Sequence, residues 1–206
     1  MFDDPTRSHR LLMRHWHTLG ALATAAALAG CGSGSDSADA EAQVEDPAAP
    51  ASAPATAGGR ATCNLAGFEA AMLATVNAHR AAGASCGTEG SFAAAPALTW
   101  NTLLTQASLA HSEDMVARNY FSHTGSDGSS AAQRATAAGY AWQLLGENIA
   151  AGQPSVAAVV AGWMASPGHC ANIMAASFRD IGVACVNGGS TNTYRTYWTM
   201  TLGLAR

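Results

Sequence analysis

Three side chains combine chemically capable groups with surroundings that otherwise look structural. His123 sits in Tyr120-Phe-Ser-His-Thr-Gly125, Glu147 in Gly146-Glu-Asn-Ile-Ala150, and His169 in Trp163-Met-Ala-Ser-Pro-Gly-His-Cys-Ala-Asn-Ile173. An imidazole binds borderline metal ions and exchanges protons near neutral pH; a carboxylate can orient an imidazole or act as a base. Other candidates are weaker. His111 shares a helix face with Leu104, Ala107 and Met115 and reads as core. Ser166 is parted from His169 by Pro-Gly, and no Gly-x-Ser-x-Gly elbow supports acyl transfer. Asn148 is expected to fix backbone, and Glu147 has the same structural alternative.

The elements that must position these groups follow from periodicity. Leu65, Phe68, Met72 and Val76 predict a first helix to about Ala82. A second helix runs from about Asn101 to Tyr120, and a short third over Ser129–Ala138, closed by Gly139. A fourth begins at Pro154, carries Val156, Val159, Val160, Trp163 and Met164 on one stripe, and stops at Ser166-Pro167. A helical turn follows around His169–Met174. Ile181–Val186 and the alternating Tyr194–Leu202 are strands, joined by a hairpin loop at Asn187-Gly-Gly-Ser190; Leu144–Ala150 is a third strand. Helices first and antiparallel strands last predict an α+β layered domain.

Upstream the chain is not globular. Arg7, Arg10 and Arg14 precede an apolar run, Thr18–Gly30, of 13 residues. A bilayer needs roughly 20 apolar residues, so the run is too short to span and describes a secretory signal, residues 1–30. Its end, Leu28-Ala-Gly-Cys31, resembles a bacterial lipobox, so Cys31 is the expected lipidation site and the palmitate-type chains anchor the protein to a membrane. Met1 and Met13 are both candidate starts. Ser33 rather than an Asp after Gly32 favours an outer membrane or cell surface. Residues 31–62 are a tether with a single large aliphatic residue, Val44. The folded domain spans 63–206, with seven acids against six Arg, so a nucleic-acid partner held by phosphate neutralisation is not expected.

The domain holds four Cys: Cys63, Cys86, Cys170 and Cys185. In an exported chain without a Cys-x-x-Cys pair this predicts two disulfides. Of three possible pairings the simplest joins Cys63 to Cys86 and Cys170 to Cys185.

Phe121-Ser-His123, Gly146-Glu-Asn148 and Ser166-Pro-Gly-His169, in that order and spacing, resemble the CAP superfamily. It groups cysteine-rich secretory, antigen 5 and pathogenesis-related 1 proteins, also called SCP-like extracellular proteins, and the bacterial branch is the most similar. Val76-Asn-Ala-His-Arg80, Leu98-Thr-Trp100, Ala110-His-Ser-Glu-Asp-Met115, Ile181-Gly-Val183 and Tyr197–Gly203 extend the resemblance over nearly the whole domain. It implies a three-layer α-β-α sandwich with a small antiparallel sheet. It also implies a cleft tetrad of two His and two Glu, matched by His123, Glu147 and His169. The fourth member would be a Glu three residues after Trp163, where this chain has Ser166.

That departure counts against a mechanism needing two carboxylates. A divalent metal, Zn²⁺ or another, on His123 and His169 with Glu147 as ligand, orienting group or base is the chemistry the resemblance implies. The expected role is a cell-envelope binding or effector module for a lipid, sterol or cell-wall ligand. A metal-dependent hydrolase, protease- or nuclease-like, and a purely structural surface protein are the alternatives.

Overall fold

A central strand buried on both faces organises the domain. The computed structural model describes residues 60–206. The expected signal 1–30, Cys31 and the tether up to residue 59 lie outside them. The elements are α1 (Phe68–Ala82), β1 (Ala84–Ser85), β2 (Ser91–Phe92), β3 (Thr99–Trp100), α2 (Thr102–Arg118), α3 (Ala131–Ala137), β4 (Trp142–Ala151), α4 (Val156–Ala165), α5 (Pro167–Met174), β5 (Asp180–Asn187) and β6 (Thr196–Ala205). The main sheet has the order β3-β5-β6-β4. Its long strands are antiparallel, as expected, but the two-residue β3 pairs parallel with β5. Helices α2 and α3 cover one face and α1, α4 and α5 the other, so the domain is an α-β-α sandwich.

The alternation in β6 sorts its side chains between the layers. Trp198, Met200 and Leu202 enter the larger core, with Phe68, Met72, Val160 and Trp163. Tyr197, Thr199 and Thr201 face α2, where the contact is polar. Ser112 Oγ donates to Thr199 Oγ1 at 2.8 Å; Ser108 Oγ donates to Gly182 O at 3.0 Å and lies 2.8 Å from Thr201 Oγ1. Small hydroxylated residues let helix and sheet approach closely, and each buried hydroxyl finds a partner. Gly182 marks the closest approach: a Cβ there would sit 2.2 Å from Thr105 N and 2.3 Å from Leu104 C.

Local capping sets the helix ends. Asn101 accepts from Leu103 and Leu104 N–H, and Ser155 accepts from Ala158 N–H. The fourth helix therefore begins after Ser155 rather than at Pro154. On α1, Arg80 is fully buried without a carboxylate partner among the described residues. It donates to Pro96 O, Ile173 O, Ala175 O and Phe178 O, tying α1 to the C-terminal end of α5. Carbonyls at a helix C-terminus carry negative partial charge and suit a guanidinium.

The disulfides are Cys63–Cys185 and Cys86–Cys170, which corrects the pairing expected from proximity in sequence. The 15-residue helix between Cys63 and Cys86 holds its ends about 22 Å apart. Residues just before that helix instead run beside β5. Cys185 N donates to Ala61 O at 2.7 Å and Cys63 N to Cys185 O at 2.9 Å, so packing starts at Ala61.

Replacing Gly182 by Ala drives a methyl group into helix backbone, which cannot rotate away. We expect Gly182→Ala to cost about 3 kcal/mol in chemical denaturation. A cost below about 0.5 kcal/mol would show that α2 is not seated as described.

Candidate functional site

His123 lies in the segment joining α2 to α3, and several contacts fix that segment. Asn119 ends α2 in the left-handed conformation at φ 50°. Asp114, one turn earlier, accepts from Tyr120 Oη, from Ser126 N at 2.8 Å and from Ser126 Oγ at 2.6 Å. His111 Nε2 donates to Ser122 O at 2.9 Å. His111 is fully buried, as its helix face predicts, and burial pushes its pKa down.

Glu147 projects from β4 and is only 5 % exposed. His123 Nδ1 donates to Oε1 at 2.8 Å, and Arg134 Nη2 donates to Oε2 at 2.7 Å. Burial alone would push the Glu147 carboxyl up. The His123 hydrogen bond and the Arg134 charge together outweigh it and hold the group below the ordinary carboxylate range. With its proton on Nδ1, a neutral His123 ring keeps its lone pair on Nε2. The His123 side chain is 39 % exposed, so it is the accessible end of this chain of contacts.

Arg134 comes from α3, which starts with a capping box: Ser130 Oγ accepts from Gln133 N, and Gln133 Oε1 from Ser130 N. Besides Glu147, the guanidinium donates to Ser129 O at 2.8 Å and to His123 O at 3.0 Å.

His169 stands in the first turn of α5, after Ser166 and Pro167. It is buried, with 5 % exposure. Burial, with a smaller contribution from the His123 charge, lowers its pKa to about 4. Asn148 Nδ2 donates to His169 O at 3.1 Å, and Asn172 Nδ2 donates to Asn148 Oδ1 at 3.0 Å and to Glu147 O at 3.3 Å. Asn148 thus fixes backbone as expected, by holding His169 O, and Asn172 supports it.

The structure thus joins His123 and Glu147 directly, and links His169 to the Glu147 strand through two Asn side chains. Among the described residues no group of three or more His, Cys, Asp or Glu is arranged to hold a metal ion together. Both Glu147 oxygens are already committed. The remaining nitrogen donors are the two imidazoles, His123 through Nε2 and His169, and these alone do not make such a group. Sequence reasoning missed Arg134, Asn172 and Asp114. For Arg134 a signal was present: the Ser130-x-x-Gln133 pattern starts a helix whose single charged residue is Arg134.

These shifts predict how stability responds to pH without metal. His169 takes up a proton in the unfolded chain below about pH 6.5 but in the folded one only near pH 4. Across that window the unfolded state binds more protons, so stability falls as pH falls, by up to about 3 kcal/mol. The Glu147 contribution has the same sign but a lower window. It is present above the unfolded carboxylate value and lost as pH drops through the depressed folded one. Denaturation of chelator-treated protein at pH 7 and 4.5 should show the loss, reduced in His169→Asn; equal slopes would remove His169 as its source.

The family model for CAP, the cysteine-rich secretory protein family, matches residues 73–202. The uncharacterized protein YkwD of Bacillus subtilis is 39% identical over 87 residues, which is 42% of this chain and 34% of that protein. The uncharacterized membrane protein YlbC of the same organism is 31% identical over 101 residues, 49% of this chain and 29% of that protein. The match thus spans about a third of each relative's length. Among solved structures, an extracellular protein containing an SCP domain from Bacillus anthracis is 30% identical, covers 53% of this chain and 34% of that one, and gives a TM-score of 0.47. With its family pattern matched over most of the described residues, the chain belongs to the CAP family, the cysteine-rich secretory protein family.

Proposed function

We propose that the protein is an extracytoplasmic binding module of the bacterial cell envelope, lipid-anchored through Cys31, whose His123–His169 cleft holds a divalent metal or a ligand. The observation that carries this reading is the state of Glu147. A general base needs a lone pair within reach of the proton it removes and a pKa near the working pH. Glu147 has both oxygens engaged, by His123 and Arg134, and its pKa is held below the usual range. Ser166 supplies no second carboxylate. A site built this way orients an imidazole better than it activates water, which favours binding over hydrolysis.

Glu147 on Nδ1 is the partner that raises the basicity of a ligating imidazole at its other nitrogen. His169 is neutral throughout the physiological range because its pKa lies near 4. Two disulfides fit an oxidising compartment, and the Leu28-Ala-Gly-Cys31 sequence fits export with acylation. A lipid, sterol or cell-wall component is the ligand class that an anchored envelope module would meet.

Titrating the full chain, purified in detergent, with Zn²⁺ by calorimetry should give saturable binding. His123→Ala/His169→Ala should weaken it by at least about tenfold. Equal uptake by both proteins would remove the cleft from the reading. Chelator-sensitive hydrolysis of generic ester, peptide or nucleic-acid substrates, lost in His169→Ala, would replace it with an enzyme. Separately, labelled palmitate fed to expressing cells should enter the wild type and not Cys31→Ser. Labelling of both would place the anchor elsewhere.

A further inference from the structure

We propose that the half-buried rings of Phe121 and Tyr194, beside His123, form a stacking platform for an oligosaccharide. The inference rests on the binding-module reading above and names the ligand class such a module would hold. Three observations support it. The first is the ring cluster. Phe121 packs edge-on against Tyr194 with centroids 5.9 Å apart, and Tyr194 packs against the fully buried Tyr197 at 5.7 Å. Phe121 and Tyr194 lie over the small core of Met115, Ile149, Ala151 and Tyr197, yet both keep part of their surface in solvent. Both come from connecting segments, α2 to α3 and β5 to β6, where binding groups are commonly carried.

The second is continuity with the site. Glu147, Ile149 and Ala151 share one face of β4. Glu147 holds His123, while Ile149 and Ala151 belong to the ring cluster. Neighbours on that face are about 7 Å apart, so the rings begin one step from His123 and Glu147. At the far end exposed Gly152 abuts the platform: a Cβ there would sit 3.9 Å from Tyr194 Cδ1. The surface is therefore drawn out along the strand, which suits a linear oligomer.

The third is the polar rim. Exposed Asn119 accepts at Oδ1 from Thr193 N at 2.8 Å and from Tyr197 Oη at 3.3 Å, so its Nδ2 donors are left without a protein partner among the described residues. Residues 119–122, 152–153 and 190–194 contain no acid and no Arg; the bordering charges are Arg118 and Arg195. A sugar ring meets both features. Its C–H face is attracted to the electron-rich face of an aromatic ring, and its hydroxyl or acetamido groups satisfy the amide. A purely apolar ligand would strip water from Asn119 and return no hydrogen bond.

The test titrates the full chain, in a detergent without a sugar headgroup, with chitohexaose and cellohexaose by calorimetry. The side-chain amide of Asn119 is followed in parallel by ¹⁵N NMR. At least one of the two sugars should bind saturably and move that resonance. Phe121→Leu and Tyr194→Leu keep apolar bulk but lack a flat face, and each should weaken binding at least about tenfold. Binding of neither sugar by the wild type would overturn the proposal. So would equal affinity in both Leu variants, or an unmoved Asn119 resonance. Saturable cholesterol binding that is lost in Tyr194→Leu would assign the rings to a sterol and overturn it as well. Should the Leu variants fail to fold, the wild-type titration and the Asn119 resonance decide alone. His123→Ala/His169→Ala separates the two readings. Sugar binding that survives in this double variant, with no Zn²⁺ uptake in the wild type, supports the platform while the metal reading falls. Zn²⁺ uptake without sugar binding overturns the platform alone.

Discussion

A carboxylate almost without solvent cannot remain ionised unless nearby groups answer its charge, and around Glu147 this requirement shapes a whole corner of the domain. Arg134 answers it from α3 and His123 from the segment that leads into α3. Because Arg134 also holds His123 O and Ser129 O, the helix, the segment and the strand form one hydrogen-bonded unit. Truncating any member leaves the others buried with unmet charge or polarity, so the unit is a constraint on the fold before it is a site. The geometry at His123 is in this sense inherited from the need to bury Glu147.

The same logic works without a formal ion pair elsewhere. Arg80 places a full charge in the core and balances it with four carbonyls, Pro96 O before β3 and those of Ile173, Ala175 and Phe178 at and beyond the end of α5. The α2 face meets the sheet through Ser108, Ser112, Thr199 and Thr201, with Gly182 allowing close approach. On the opposite face the contact is apolar and aromatic, with Phe68 stacked on Trp198 at 5.9 Å between centroids. The two faces of one sheet are thus sealed by different chemistry: a polar seam on the α2 side and area burial on the other.

Much of this was legible from periodicity. Phe68, Met72 and Val76 in α1, Val159, Val160 and Trp163 in α4, and the alternation of β6 are buried as their spacing requires. The segments carrying His123, Glu147 and His169 were legible as well. Four things were not. The disulfide pairing depends on which strand Cys63 reaches, and that is a long-range fact. The two-residue β3 is too short to show a period. The start of α4 turned on Ser155 as cap rather than Pro154 as first residue. The Ser130-x-x-Gln133 pattern places Arg134 on a helix, but nothing local says that its partner lies 13 residues ahead.

Why the site gathers at this place follows from the position of β4. It is one of the two edge strands of the sheet, and an edge leaves backbone groups without strand partners. Here those groups bind side chains: Glu147 O accepts from Asn172 Nδ2 and Ile149 O from Trp163 Nε1. The two donors come from α5 and α4, the helices that flank Ser166 and carry His169. Along the strand, side chains alternate in direction, so Glu147 turns toward Arg134 and the α2–α3 layer while Asn148 turns toward His169 and α5. One strand edge therefore brings together residues from both helical layers, and the contacts that protect it from another strand also tie Glu147 and Asn148 to α5.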